Sequence, residues 1–128
     1  DADVVVTATG LQVLAFGGIE LVVDGEPVEL SETMAYKALM LSGVPNFAYT
    51  IGYTNASWTL KADLVAEYVC RLLAHLDATG QRTVVPVATP GLGTEPFMDF
   101  QAGYVLRAID RLPRQGAAWF PSSSTRVP

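Results

Sequence analysis

Any chemistry in this chain has to come from a short list of side chains. There is one histidine, His75, and one cysteine, Cys70. A zinc site of four cysteines or of two cysteines and two histidines, a haem-attachment motif and an internal disulfide are therefore excluded by counting. A Ser-His-Asp triad would have to use His75, and no serine sits in a G-x-S-x-G elbow. Gly91-Leu92-Gly93 is a connector rather than a dinucleotide fingerprint, because the third glycine and the flanking strand and helix are missing. Asp24, Glu26, Glu29 and Glu32 read as the solvated face of a hairpin, not as a carboxylate pair for acid–base work. What remains is a junction: a strand candidate over residues 46–51, then Gly52, then the loop Tyr53, Thr54, Asn55, Ala56, Ser57, Trp58, then a long helical pattern. A helix N-terminus carries about half a positive charge and several unpaired N–H groups, so it can hold a phosphate or any developing anion. A strand feeding such a helix puts that site at the carboxyl edge of a sheet, where α/β proteins bind ligands. The plainer alternative is that Asn55, Ser57 or Thr59 caps the helix and does nothing else. The dipole contributes only ~0.3–1 kcal/mol, enough to assist an anion but not to define an activity.

The elements that must position this junction are legible to different degrees. The spacing predicts a helix over residues 59–78, stopped by Gly80. Leu60, Leu64, Tyr68, Leu72 and Leu76 form one i,i+4 row, Val65, Val69 and Leu73 a second, and Ala62, Ala66, Cys70 and Ala74 a third. Only Asp63, Glu67, Arg71 and His75 make a polar row, so the helix is expected inside a multilayer protein. Cys70 is expected to serve close packing rather than to be a reactive thiol, and a solvated His75 suits the negative end of the helix dipole. The run Asp3, Val4, Val5, Val6, Thr7, closed by Ala8, Thr9 and Gly10, predicts a strand buried on both faces of a parallel sheet. Residues 19–30 predict a hairpin turning at Asp24-Gly25, with Pro27 on an edge strand. Residues 46–51 predict a strand, 83–87 an edge strand interrupted by Pro86, 89–96 a connector, and 104–112 a short helix stopped by Pro113. The stretch 116–128 has no periodicity and is expected to be an unstructured tail.

Composition limits partners. Eight Lys and Arg against thirteen Asp and Glu give a net charge of −5, which lacks the basic footprint of nucleic-acid or anionic-membrane binding. No run approaches a membrane span and the start shows no signal-peptide pattern, so a cytoplasmic location is the expectation. Half the residues are hydrophobic and 16% are charged, where an ordinary soluble domain has about 25% charged. These charges are few for the outside of a small independent globule. Together with a start at Asp1, they lead us to expect a piece of a larger protein whose remainder covers apolar surface here. Homo-oligomerisation through that surface stays open.

Three ordered stretches carry a resemblance. Residues 3–10, residues 34–47 (Met34 through Phe47) and residues 51–64 (Ile51 through Leu64) closely resemble the C-terminal part of class B flavoprotein monooxygenases, the flavin-containing and Baeyer–Villiger type enzymes. The likeness runs over residues 1–115. It implies an α/β fold: the C-terminal fragment of a flavoprotein with two dinucleotide-binding domains, carrying a β-hairpin, short strands and one long central helix. It implies FAD and NADPH as cofactors of the parent and a small-molecule substrate. The parent reaction inserts one oxygen atom into a carbonyl or a soft heteroatom such as sulfur, through a flavin C4a-peroxide. Carried over by motif, Ala8, Thr9 and Gly10 lie near the junction of the nucleotide domains, and Asn55, Ser57, Trp58, Thr59 and Leu60 lie near the flavin ring. The N–H groups of Thr59 and Leu60 then face the pyrimidine-side oxygen, where reduced flavin bears negative charge. The chain departs from the family at Ala38, where many relatives have glycine, and at Tyr53, where many Baeyer–Villiger enzymes have proline. Both nucleotide fingerprints and the family's catalytic arginine are absent from these 128 residues, so no catalytic residue is assigned and the isolated chain is expected to be inactive. The alternative is a stand-alone protein-interaction or self-association module without catalysis.

Overall fold

The computed structural model describes residues 2–53 and 56–117. Its first regular pairing is a hairpin, β1 (Val22–Val23) with β2 (Glu26–Pro27), antiparallel with Val22 opposite Pro27 and Val23 opposite Glu26. Asp24 and Gly25 turn it at φ 54° and 91°, the positive φ pair that a tight hairpin favours. A second hairpin was not foreseen: β3 (Ala35–Tyr36) pairs with β4 (Met40–Leu41). Its turn passes through Lys37 and Ala38 at φ 51° and 52°, and Leu39 N–H donates to the Tyr36 carbonyl at 3.0 Å. Then come α1 (Trp58–Thr79), β5 (Thr94–Pro96), the single turn α2 (Gly103–Leu106) and β6 (Arg114–Gly116). β5 and β6 pair antiparallel across the chain segment between them. Arg114 N–H donates to the Thr33 carbonyl at 2.8 Å, tying this pair to the start of the β3–β4 hairpin.

The β3–β4 hairpin divides the interior. Leu41 faces a cluster with Val44, Tyr49, Phe97 and Leu112, in which Phe16 stands edge-on to Tyr49 with ring centroids 4.8 Å apart. Leu39 and Met40 face Val65 of α1, flanked by Tyr68, Val69 and Leu72. Neighbouring β4 side chains thus serve opposite sides, as strand alternation requires.

Several expectations give way to this arrangement. Residues 3–7 have strand composition, yet Val4, Val5 and Val6 are 78%, 78% and 85% exposed and form no ladder among the described residues. A strand needs a neighbour to bond to, and none is supplied here. Residues 46–51 are not a strand either. Tyr49 N–H goes to the Leu39 carbonyl, Asn46 N–H goes to the Val84 carbonyl, and Asn46 turns at φ 54°. Residues 83–87 spend their bonds on the stretch from Gly43 to Asn46 rather than on a ladder: Val84 N–H donates to Asn46 Oδ1 and Gly43 N–H to the Pro86 carbonyl. Within the expected connector 89–96 lies β5, and the expected helix 104–112 splits into α2 and a 3-10 turn over Ile109–Arg111. The end of the regular structure, Gly116, lies one residue beyond the composition boundary, and residues 118–128 lie outside the described residues.

α1 follows its pattern closely, starting one residue before and ending one after the predicted bounds, with Gly80 in the left-handed conformation at φ 66°. Its covered stripe is narrower than the sequence suggests. Lys61, Val65 and Leu76 are buried, whereas Leu60, Leu64 and Leu73 are 46%, 49% and 55% exposed. One face of the helix packs on the hairpin, and the expected enclosure on further sides is not provided by the described residues. No helix among them is long and apolar enough to cross a membrane.

Candidate functional site

The first turn of α1 is where the structure leaves polar backbone unused. Ser57 occupies the N-cap position with extended φ and ψ of −61° and 131°, but its side chain makes no capping bond. Its Oγ lies 2.6 Å from Thr59 Oγ1 instead. The capping expectation for Ser57 therefore fails, and the first turn holds no acidic side chain. The N–H groups of Trp58, Thr59 and Leu60 have no intrahelical partner by the geometry of any helix start. They present an uncapped, acid-free positive end, suited to a carbonyl oxygen or an anion.

Beside those donors stands a flat apolar surface. Trp58 is 63% exposed and its indole lies over Gly52, so closely that a Cβ at Gly52 would press on the face of the Trp58 ring. Only glycine allows that approach. Leu60 and Leu64, one turn apart, form a second exposed apolar strip on another side of α1. Asn55, the remaining predicted member of this group, lies outside the described residues.

Lys61 is the residue that sequence reading missed. It is 8% exposed, its Nζ donates to the Lys37 carbonyl at 3.3 Å, and it sits 5.8 Å from the centroid of the Tyr53 ring. Burial lowers its pKa from the ordinary lysine value. A signal was available: Lys61 precedes Val65 by four, Tyr68 by seven and Leu72 by eleven residues, which places it on the stripe that the hairpin covers.

Ala8, Thr9 and Gly10 belong to another neighbourhood. All three are exposed. A Cβ at Gly10 would meet Arg107 Nη2 at 3.6 Å, and that guanidinium donates to the Leu11 carbonyl at 3.4 Å. The hydrogen bonds recorded for the described residues do not link this stretch to the start of α1. A separate depression of about 390 Å³ is lined by residues including Thr33, Met34, Ser42 and Arg114. Thr33 Oγ1 already donates to the Leu30 carbonyl, and Ser42 Oγ already accepts from Met34 N–H. These two hydroxyls are thus committed to local backbone groups. Among the described residues no cluster of three or more His, Cys, Asp or Glu side chains could hold a metal ion.

Comparison with known proteins supplies a context for this geometry. The chain is 59% identical over 118 residues to the FAD-containing monooxygenase EthA of Mycobacterium tuberculosis, covering 91% of this chain and 24% of that protein. It is 46% identical over 126 residues to the probable FAD-binding monooxygenase AlmA of Acinetobacter baylyi, covering 93% of this chain and 25% of the relative. It is 45% identical over 119 residues to the putative FAD-containing monooxygenase MymA of Mycobacterium tuberculosis, covering 91% of this chain and 24% of the relative. The chain spans about a quarter of the length of the curated relatives it matches. No protein-family model and no solved structure matches it.

Proposed function

Because the chain belongs to the FAD-containing monooxygenases, as a segment of about a quarter of their length, we propose that it is the flavin-side part of an FAD- and NADPH-dependent enzyme that transfers one oxygen atom to a carbonyl or a soft heteroatom. The observation that carries this reading is the first turn of α1: uncapped, free of acidic side chains, and flanked by the exposed Trp58 and Leu60. The residues fit a flavin. Its ring system is a flat heteroaromatic with carbonyl oxygens along one edge, and the first turn offers N–H donors beside an apolar plate.

On this reading the N–H groups of Thr59 and Leu60 would hold a flavin carbonyl oxygen and would favour negative charge on it, without a side-chain cation in direct contact. Trp58, exposed beside those donors, would shield the ring from water. Bound FAD would supply electron transfer and oxygen activation; the protein contributes placement and a dry wall. Ala8, Thr9 and Gly10 would lie at the return from the nucleotide-binding part. The two nucleotide-binding domains, the small-molecule substrate and a cytoplasmic location complete the proposal, with no role for nucleic acid. The exposed Leu60, Leu64 and Leu73 support the view that polypeptide beyond this segment, or a second subunit, covers α1.

The test is to express the complete reading frame that contains this segment. Stoichiometric FAD, together with NADPH consumption that a cyclic ketone or a thioether accelerates and that yields an ester or a sulfoxide, is the expected outcome. Each turnover consumes one NADPH, one proton and one O2 and releases NADP+, water and the oxygenated product. A flavin-free protein, or NADPH oxidation that returns only hydrogen peroxide with every such substrate, defeats the proposal. The isolated 128-residue chain is expected to hold no stoichiometric flavin.

A further inference from the structure

Among the described residues, Lys61 is the charged side chain that is buried. Burying an ammonium is costly unless its charge is met, and a carboxylate usually meets it. Among the described residues no carboxylate comes within the 4.0 Å of an ion pair. The charge is met instead by a carbonyl and a ring face: the Lys37 carbonyl at 3.3 Å and the Tyr53 ring at 5.8 Å. An apolar side chain of similar length would fill this space without the desolvation cost, so packing alone does not account for a lysine.

The two partners belong to the pieces that must meet at the start of α1. Lys37 is in the left-handed turn of the β3–β4 hairpin, and Tyr53 follows the glycine on which Trp58 rests. The same turn is fastened two helical turns further along. The Lys37 ammonium lies 4.8 Å from the centroid of the Tyr68 ring, and the Tyr36 and Tyr68 hydroxyls are 3.3 Å apart. That outer contact is exposed and weak; the buried one at Lys61 sits next to the uncapped N–H groups.

We infer that Lys61 is a positioning residue: by binding the Lys37 carbonyl and the Tyr53 ring at once, it locks the hairpin turn and the loop after Gly52 to the first turn of α1. This deepens the flavin reading and rests on it for the effect on FAD; the clamp itself does not depend on it. Lys61 acts through the loop rather than by touching the ring system, so its loss loosens two segments and weakens flavin binding as a consequence.

The experiment uses the complete enzyme with Lys61→Met, which keeps the stem and removes the charge, and Lys61→Arg, which restores a cation able to reach a carbonyl and stack on tyrosine. Amide hydrogen exchange is followed over residues 34–41, 50–60 and 94–116, and FAD affinity is measured by reconstituting the flavin-free protein. Lys61→Met should raise exchange about fivefold or more in the first two segments while leaving residues 94–116 unchanged, and should weaken FAD binding about tenfold. Lys61→Arg should bring both quantities back to within about twofold of the wild type. Unchanged exchange in Lys61→Met, a rise spread equally over residues 94–116, or no recovery in Lys61→Arg overturns the inference. Should Lys61→Met fail to fold, Tyr53→Leu removes one of the two contacts: faster exchange over residues 50–60 supports the clamp and unchanged exchange refutes it. A wild-type enzyme without flavin would remove the flavin reading, and the exchange measurements would still decide whether Lys61 is a clamp.

Discussion

Replacing Gly52 by alanine places a methyl group where the Trp58 indole now lies. The added Cβ presses on the face of the Trp58 ring, against Cγ, Cδ1 and Cδ2, nearer than non-bonded atoms can stand. Trp58 is 63% exposed and can swing outward, so the cost is the contact area it gives up, not a crushed core. A tryptophan side chain offers about 250 Å², of which a little over a third, about 90 Å², is covered here. At about 25 cal/mol per Å² this contact is worth about 2 kcal/mol. Alanine returns about 0.4–1 kcal/mol by restricting the unfolded chain, which leaves a net loss of about 1–2 kcal/mol. Trp58→Ala gives up the same contact by itself. In that background alanine at position 52 meets no ring and should be neutral or stabilising by up to about 1 kcal/mol. The double-mutant cycle should therefore show a coupling of about 2 kcal/mol. Urea unfolding of the four chains, followed by circular dichroism at the helix band so that the indole is not the probe, measures it. An equal cost of Gly52→Ala with and without Trp58 would refute the steric argument and return Gly52 to an ordinary loop position.

Three further outcomes can be checked by the same unfolding measurement. Ala38 sits at φ 52°, a conformation that costs a residue with a Cβ about 1–2 kcal/mol. Ala38→Gly, which installs the residue the resemblance led us to expect there, should stabilise the chain by about 0.5–1 kcal/mol after the added freedom of the unfolded state is subtracted; a loss of stability would mean the turn is not left-handed. Tyr49 is buried with a hydroxyl that has no hydrogen-bond partner among the described residues, so Tyr49→Phe should be neutral or stabilising by about 1 kcal/mol. Burial also raises the Tyr49 phenol above its ordinary 10.0. The folded chain then keeps a proton that the unfolded chain has lost, so this contribution is complete below pH 10.0 and is lost as the pH rises above it. Alkaline unfolding should move to higher pH in Tyr49→Phe, and an unmoved transition would assign it to another group. Leu41 is fully buried at the junction of hairpin and core, so Leu41→Ala should cost about 2–5 kcal/mol; a cost below about 1 kcal/mol would contradict the dividing role of the β3–β4 hairpin.

By itself the sequence determined α1, the Asp24-Gly25 hairpin and the kinship with FAD-containing monooxygenases. The first two depend on bonds closed within a few residues: a helix satisfies its own N–H and C=O groups, and a tight turn is chosen by the φ its residues tolerate. Kinship was legible because three motifs stand in order along one chain. Tertiary structure decided everything that needs a distant partner. Residues 3–7 and 46–51 share the composition of strands, but pairing is set by what lies alongside, and Tyr49 and Asn46 found Leu39 and Val84 instead. The β5–β6 pair joins Thr94 to Gly116, a match that no local period encodes. Lys61 shows the division within one residue. Its place on the covered stripe follows from helical spacing alone, whereas the carbonyl and ring that receive its charge come from the Lys37 turn and Tyr53, which only the folded chain brings together.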